Sequence, residues 1–238
     1  MNTRLKTFVK RRMQSITASD LNPVIVASMG RAGSTLIYDA LNKGMGMARF
    51  GEETYRNGRF VRDVAWTLSK ARFRNGVVYK THDFPHDLTA AQNVRVVFTF
   101  GIPSDAARSV LGCNTKYGRA WIEEHFEHLR ANGTFDQICD RDVLRFGDQL
   151  DSWTALKSIP VLGLKYESLW QSGAQQALSR FVGFPVTLPE RKNRESAAMD
   201  LGEAGEKLMK TYANLDARVA AMPDIIANDK ARALIDAD

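Results

Sequence analysis

Two cysteines in 238 residues leave little room for a disulfide framework. Cys113 and Cys139 have no metal-type spacing, so they are expected to fill space in a reducing compartment and not to hold a zinc ion. No run of about 18 apolar residues occurs, so no membrane-spanning helix is expected. Met1–Arg12 is basic but has no apolar stretch of the kind found in a signal peptide, and a cytoplasmic location is the expectation. There is no internal repeat and no low-complexity segment. The basic residues are spread along the chain without interleaved aromatics or a nucleic-acid motif, so nucleic acid is not an expected partner.

What is present is ordinary for a soluble globular protein: 44% hydrophobic and 25% charged residues. A chain of this length buries a core without staples and suits a single domain. The net charge of +6 favours anionic partners such as nucleotides, although the same excess also fits a solvated surface. Arg4, Lys6, Lys10, Arg11 and Arg12 give the N-terminus the character of a weak membrane-surface or polysaccharide contact.

Short apolar runs alternate with helical patterns. Pro23–Ser28, Gly76–Lys80, Arg95–Phe100 and Val161–Lys165 read as buried strands, with another near Met47–Phe50. Helical periodicity covers Ser34–Asn42, Val61–Phe73, a segment opening at Ser104, Trp121–Arg130, Val143–Leu156 and Gln175–Val182. The tail from Leu201 reads as two helices divided near Pro223. Strands separated by helices imply an α/β fold with a central parallel sheet and right-handed crossovers. One domain over residues 1–238 is expected, with a core of about 22–195 and a helical C-terminal annex of about 200–238. Ligands of such sheets bind at the carboxyl ends of the strands.

The first strand ends in Met29-Gly-Arg-Ala-Gly-Ser-Thr35, which leads into a helix. A helix start has unpartnered N–H groups and the positive end of its dipole, so a phosphate fits there. Gly30 and Gly33 permit close backbone approach, Arg31 can fork onto phosphate oxygens, and Ser34 and Thr35 donate hydroxyls. Glycine and serine also suffice for a plain strand-to-helix turn. The segment is not a Walker loop, because no lysine follows Gly33.

This loop resembles the donor loop of the sulfotransferase family, often written P-K-S-G-T-T or P-R-S-G-S-T. Arg31-Ala-Gly-Ser-Thr35 matches its basic residue, glycine and hydroxyls, with Gly30 in place of the proline and Ala32 in place of the serine. Val77-Val-Tyr-Lys-Thr-His-Asp-Phe-Pro85 resembles the family's K-T-H-x-P segment. Ile102-Pro-Ser-Asp-Ala-Ala-Arg-Ser109 resembles R-N-P-x-D-x-x-x-S, with Gly101 where the arginine belongs. Phe181–Phe184 resembles F-L-G, and Leu164–Leu169 resembles L-x-Y-E-D-L. The likeness covers about Val24 to Arg194.

The resemblance implies a P-loop-like three-layer fold. It also implies transfer of a sulfuryl group from 3′-phosphoadenosine-5′-phosphosulfate (PAPS) to an acceptor hydroxyl on a glycan, a lipid-linked sugar or a small alcohol. His82 would be the general base and Lys80 would contact the donor. Gly30, Arg31, Ala32, Gly33, Ser34 and Thr35 would hold the 5′-phosphate. Ser109 would meet the 3′-phosphate, with Arg191, Lys192 or Arg194 replacing the missing arginine. Arg108 points about 100° away from Ser109 on a helix.

No metal is called for, because side chains and the helix end supply the charge. Glu52 or Glu53 is a rival base, since some carbohydrate sulfotransferases use an early glutamate. Phe84, Trp66, Tyr55 and Trp170 suit either an acceptor pocket or the core. His125 and His128 read as a half-exposed polar face. A non-Walker kinase and a non-catalytic nucleotide-binding protein are the alternative functions.

Overall fold

The computed structural model describes residues 21–51, 61–86, 88–191 and 201–237. The elements in chain order are β1 (Val24–Ser28), α1 (Ser34–Phe50), β2 (Arg62–Val64), β3 (Val78–Thr81), β4 (Arg95–Phe100) and α2 (Pro103–Tyr117). They are followed by α3 (Arg119–His128), α4 (Phe146–Ala155), β5 (Val161–Lys165), α5 (Ser172–Val182), α6 (Gly202–Ala221), β6 (Ile225–Ala227) and α7 (Asp229–Ile235). The six strands form one sheet in the order β2-β3-β1-β4-β5-β6. The first five are mutually parallel, and β6 runs antiparallel to β5.

The central strands read as continuous apolar runs because both of their faces are covered. Every residue of β1 and β5 is buried. Alternate side chains feed two cores. Ile25, Ala27, Val96, Phe98 and Phe100 pack with residues of α2, α3, α4 and α6. Val24, Val26, Val97, Leu162 and Leu164 pack with residues of α1, α5 and α7 on the opposite face. The chain is therefore an α/β domain with helices on both faces of a mostly parallel sheet.

Two expectations change. Val61–Phe73 is not a helix. Val78 donates to the Val61 carbonyl at 2.7 Å and Ala65 donates to the Lys80 carbonyl at 2.9 Å. Sheet pairing along β3 thus overrides a spacing of Val61, Ala65 and Leu68 that suits a helix equally well. Leu68–Lys70 forms only a 3-10 turn. Met47–Phe50 is not a strand either, because α1 runs on to Phe50 through Gly44. A Cβ at Gly44 would lie 2.6 Å from the Pro185 carbonyl and 2.8 Å from Phe184, so the missing side chain lets α1 pack close.

The tail forms the two expected helices, but it is more than an annex. β6 joins the sheet between them, and Leu208, Tyr212 and Val219 of α6 lie fully in the core. Asp216 accepts from the Ser104 amide at the start of α2 at 3.0 Å.

The parallel strands bring their carboxyl ends to one edge. There the loop after β1, the residues after β3, the start of α2 after β4 and the Tyr166–Ser168 turn after β5 sit together. The connection from β1 runs to β2 on one side, and that from β4 runs to β5 on the other. This reversal opens a crevice between the two strand ends. No described helix is long and apolar enough to cross a membrane.

Candidate functional site

The loop from Met29 to Thr35 contains three residues of left-handed backbone: Gly30 (φ 90°), Arg31 (φ 50°) and Gly33 (φ 82°). Left-handed residues in such turns bring successive amides into anion-binding concavities. For an arginine the conformation is uncommon. No side chain caps the start of α1, so its first amides face the loop without a side-chain acceptor. The Ser28 hydroxyl accepts from the Gly30 amide at 3.0 Å and fixes the bend.

Gly33 also has no room for a side chain. A Cβ there would stand 2.4 Å from Cδ2 of Tyr166. Gly33→Ala should therefore cost about 1–3 kcal/mol, from the left-handed backbone together with the displaced ring. Denaturant unfolding checks this, and an unchanged midpoint would contradict it.

Two cations reach the loop. Lys80 donates from Nζ to Thr35 Oγ1 at 2.7 Å. Burial lowers the Lys80 pKa, with nearby Asp39 opposing the shift. Arg31 donates from Nε to Ser109 Oγ at 2.9 Å, and its guanidinium lies 5.8 Å from the Trp121 ring. The Arg31–Ser109 bond spans the crevice from the loop after β1 to α2 after β4. Ser34 and Ala32 are buried, while Thr35 and Arg31 are exposed.

His82 is 5% exposed and lies two residues beyond Lys80. Its Nδ1 is 3.0 Å from the Ser28 carbonyl oxygen. A carbonyl only accepts, so Nδ1 carries the proton and Nε2 keeps its lone pair. Burial first, and then the Lys80 charge, push the His82 pKa down to about 3, which leaves the ring neutral at pH 7. Its backbone is also held, since Gln149 donates to the His82 carbonyl at 2.7 Å and Trp153 donates to Gln149 at 3.0 Å.

The next residue, Asp83, accepts from Arg130 Nε at 3.1 Å and from the Leu68 amide at 2.9 Å. Arg130 also donates to the Trp66 carbonyl and to Thr67 Oγ1. These bonds tie the Trp66–Leu68 loop beside the histidine, and the Trp66 ring stacks on His82 at 5.6 Å.

The α3 side of the site departs from expectation. His125 is not half exposed but 7% exposed, and its Nε2 is buried without a partner among the described residues. Its ring lies edge-to-face with His82 at 5.7 Å and stacks on Trp121 at 4.7 Å. His128 stacks on Trp66 at 4.0 Å. Sequence reasoning missed His125, yet a signal was present. Ile122, Phe126 and Leu129 form the buried stripe of α3, and position 125 falls within that stripe.

Among the described residues, the atoms nearest to Gly101 belong to Tyr166 and Glu167 and not to a cation. A Cβ on Gly101 would lie 3.2 Å from Tyr166 Cβ and 3.3 Å from Glu167 Oε1. Glu167 Oε2 is buried without a partner among the described residues. The Arg191 guanidinium lies 5.5 Å from the Trp170 ring. Trp170 in turn meets Tyr166 edge-on at 5.5 Å and donates to the Pro189 carbonyl at 2.8 Å. Arg191 is thus joined to Gly33 through Trp170 and Tyr166.

Phe84 is 4% exposed and lies beneath the Arg145 guanidinium, 4.1 Å from its ring centre. Cys113 and Cys139 are free thiols. Among the described residues, no group of three or more metal-ligating side chains comes together. Glu52, Glu53, Tyr55, Lys192, Arg194 and the basic N-terminus lie outside the described residues.

No protein-family model matches this chain, and no curated protein matches it.

Proposed function

We propose that this protein transfers a sulfuryl group from PAPS to an acceptor hydroxyl on a P-loop-like domain. The observation that carries the reading is the meeting of two separate segments. Lys80 of the Lys80-Thr81-His82 run bonds to Thr35 at the helix start, and neutral His82 stands beside it with Nε2 unprotonated.

The 5′-phosphate of the donor would seat on the loop amides, Arg31, Ser34 and Thr35. The acceptor oxygen attacks sulfur in line with the bond to the bridging oxygen. Its proton passes to Nε2 of His82, and the electrons of the breaking S–O bond pass to the 5′-phosphate. That new charge meets the Lys80 ammonium and the helix end, donors already oriented before the reaction. The negative donor would also oppose the burial that makes His82 a weak base. The acceptor would be a glycan, a lipid-linked sugar or a small alcohol.

A second reading is favoured by Glu167 beside Gly101. A carboxylate there repels a 3′-phosphate and accepts from free ribose hydroxyls. That suits an ordinary nucleotide, bound by a kinase or by a protein without turnover. Comparison of adenosine 3′,5′-bisphosphate with adenosine 5′-monophosphate separates the two. The sulfotransferase reading requires the bisphosphate to bind more tightly, with Arg191→Ala removing most of that preference. Equal affinities would move the second reading ahead.

Arg31→Ala should weaken bisphosphate binding by about 1.5–3 kcal/mol, the range for a charged hydrogen bond. Calorimetry giving equal affinities for variant and wild type would reject the loop as the phosphate site.

A further inference from the structure

The proposed transfer gives no role to His125, although it is only 7% exposed and its ring lies beside the loop. Cε1 of His125 is bonded to the unpartnered Nε2. A side chain built on Gly30 would bring its Cβ to 3.5 Å from that Cε1, so this edge of the imidazole lies against the left-handed turn. Nε2 has no hydrogen-bond partner among the described residues. A buried polar atom without a partner is costly, and few native structures keep one without a reason.

The ionisable groups that face the ring are all bases. Arg31 lies on the loop, Lys80 on β3, His82 just beyond β3, and His128 on α3 itself; no carboxylate is among these neighbours. Farther out, Asp39 faces Lys80, while Glu124 and Glu127 face His128. Burial, and next the neighbouring His82, hold the His125 pKa well below its usual value. The site thus brings together two fixed cations and three imidazoles, each with its pKa lowered.

Resting on the reading of the Met29–Thr35 loop as a phosphate site, we propose that His125 is its third cation, charged only when an anion is bound. A dianion over Gly30 would reverse the sign of the local field and supply the acceptor that Nε2 lacks. The proton taken up settles on His125 in preference to His82 for two reasons. The Lys80 charge bears more directly on His82, for which it is the leading neighbouring charge, than on His125, for which it is the weakest of four. His82 Nδ1 is already committed to the Ser28 carbonyl, and Nε2 must stay free to act as a base. Two imidazoles this close take up protons as a pair, so the first proton opposes the second. Anion binding is then tighter in mild acid, while His82 stays neutral.

Sulfate is the appropriate probe because it remains a dianion across the range examined, whereas a phosphate monoester titrates near pH 6 itself. The ring-proton signals of His82 and His125, assigned with His82→Asn and His125→Asn, are followed by NMR from pH 8 to pH 5, with and without saturating sulfate. In the free protein neither signal should titrate. With sulfate, the His125 midpoint should rise into this window while His82 stays flat. Sulfate affinity should also increase severalfold from pH 8 to pH 6, and His125→Asn should abolish that increase while the amides of Gly30 and Gly33 still respond.

If sulfate shifts those amides but the His125 signal stays flat, the proposal is overturned and the loop reading survives. A His125 that titrates equally with and without sulfate also overturns it. If neither sulfate nor adenosine 3′,5′-bisphosphate moves the amides of Gly30 and Gly33, both fall together.

Discussion

His82→Ala should lower turnover by about 10²–10⁴-fold with little change in donor affinity, the usual contribution of a positioned general base. The split follows from the geometry. The donor phosphate is held by the loop, Arg31 and Lys80, while His82 presents only Nε2 to the acceptor. His82 also braces the loop through its Nδ1 bond to the Ser28 carbonyl. His82→Asn is therefore the informative companion, since its amide can keep that bond and cannot act as the base. Equal losses in both variants, with bisphosphate affinity unchanged in calorimetry, place the effect on proton transfer. A large loss of affinity in His82→Ala that His82→Asn restores would show a bracing role instead. Should Glu53→Ala abolish turnover while His82→Ala does not, the base lies at Glu53.

Acid should unfold this protein earlier than its ordinary carboxylates explain. His82 is held near a pKa of about 3, against a usual value of 6.5. Between those values the unfolded chain binds a proton that the folded ring refuses, so stability is complete above about pH 6.5 and falls as the solution is acidified. Each unit of separation is worth about 1.4 kcal/mol, so His82 alone should remove about 2 kcal/mol between pH 7 and pH 5. His125 shifts in the same direction and adds to the loss. Urea midpoints at the two pH values check this against the double variant His82→Asn, His125→Asn, whose stability should be flatter with pH. Parallel slopes for variant and wild type would contradict it.

Much of the sheet was legible because buried parallel strands carry uninterrupted apolar runs. Arg95–Phe100 and Val161–Lys165 coincide with the observed strands residue for residue. The loop and the Lys80–His82 segment were legible as local chemistry next to such strands. What was not legible depends on partners distant in sequence. The three residues of β2 become a strand only through pairing with β3. The tautomer of His82 depends on the Ser28 carbonyl, 54 positions away. The enclosure of His125 comes from Trp121 on its own helix and from Gly30 and His82 elsewhere in the chain, and the carboxylate beside Gly101 comes from the turn after β5. These juxtapositions are products of the topology, which periodicity in a single segment does not encode.

The antiparallel strand β6 has a consequence for biosynthesis. Its register pairs Leu162 with Ala227, so β5 is translated well before the strand that covers it. At about 5–20 residues per second, the ribosome takes on the order of several seconds to make the intervening stretch. Throughout that interval the outer edge of β5 carries unpaired amides and carbonyls on an apolar strand, an open template for another chain. The nascent protein is thus open to intermolecular pairing between the synthesis of β5 and that of β6. A chaperone that occupies emerging chains during this interval would raise the yield of folded protein more than one that acts once β6 has paired.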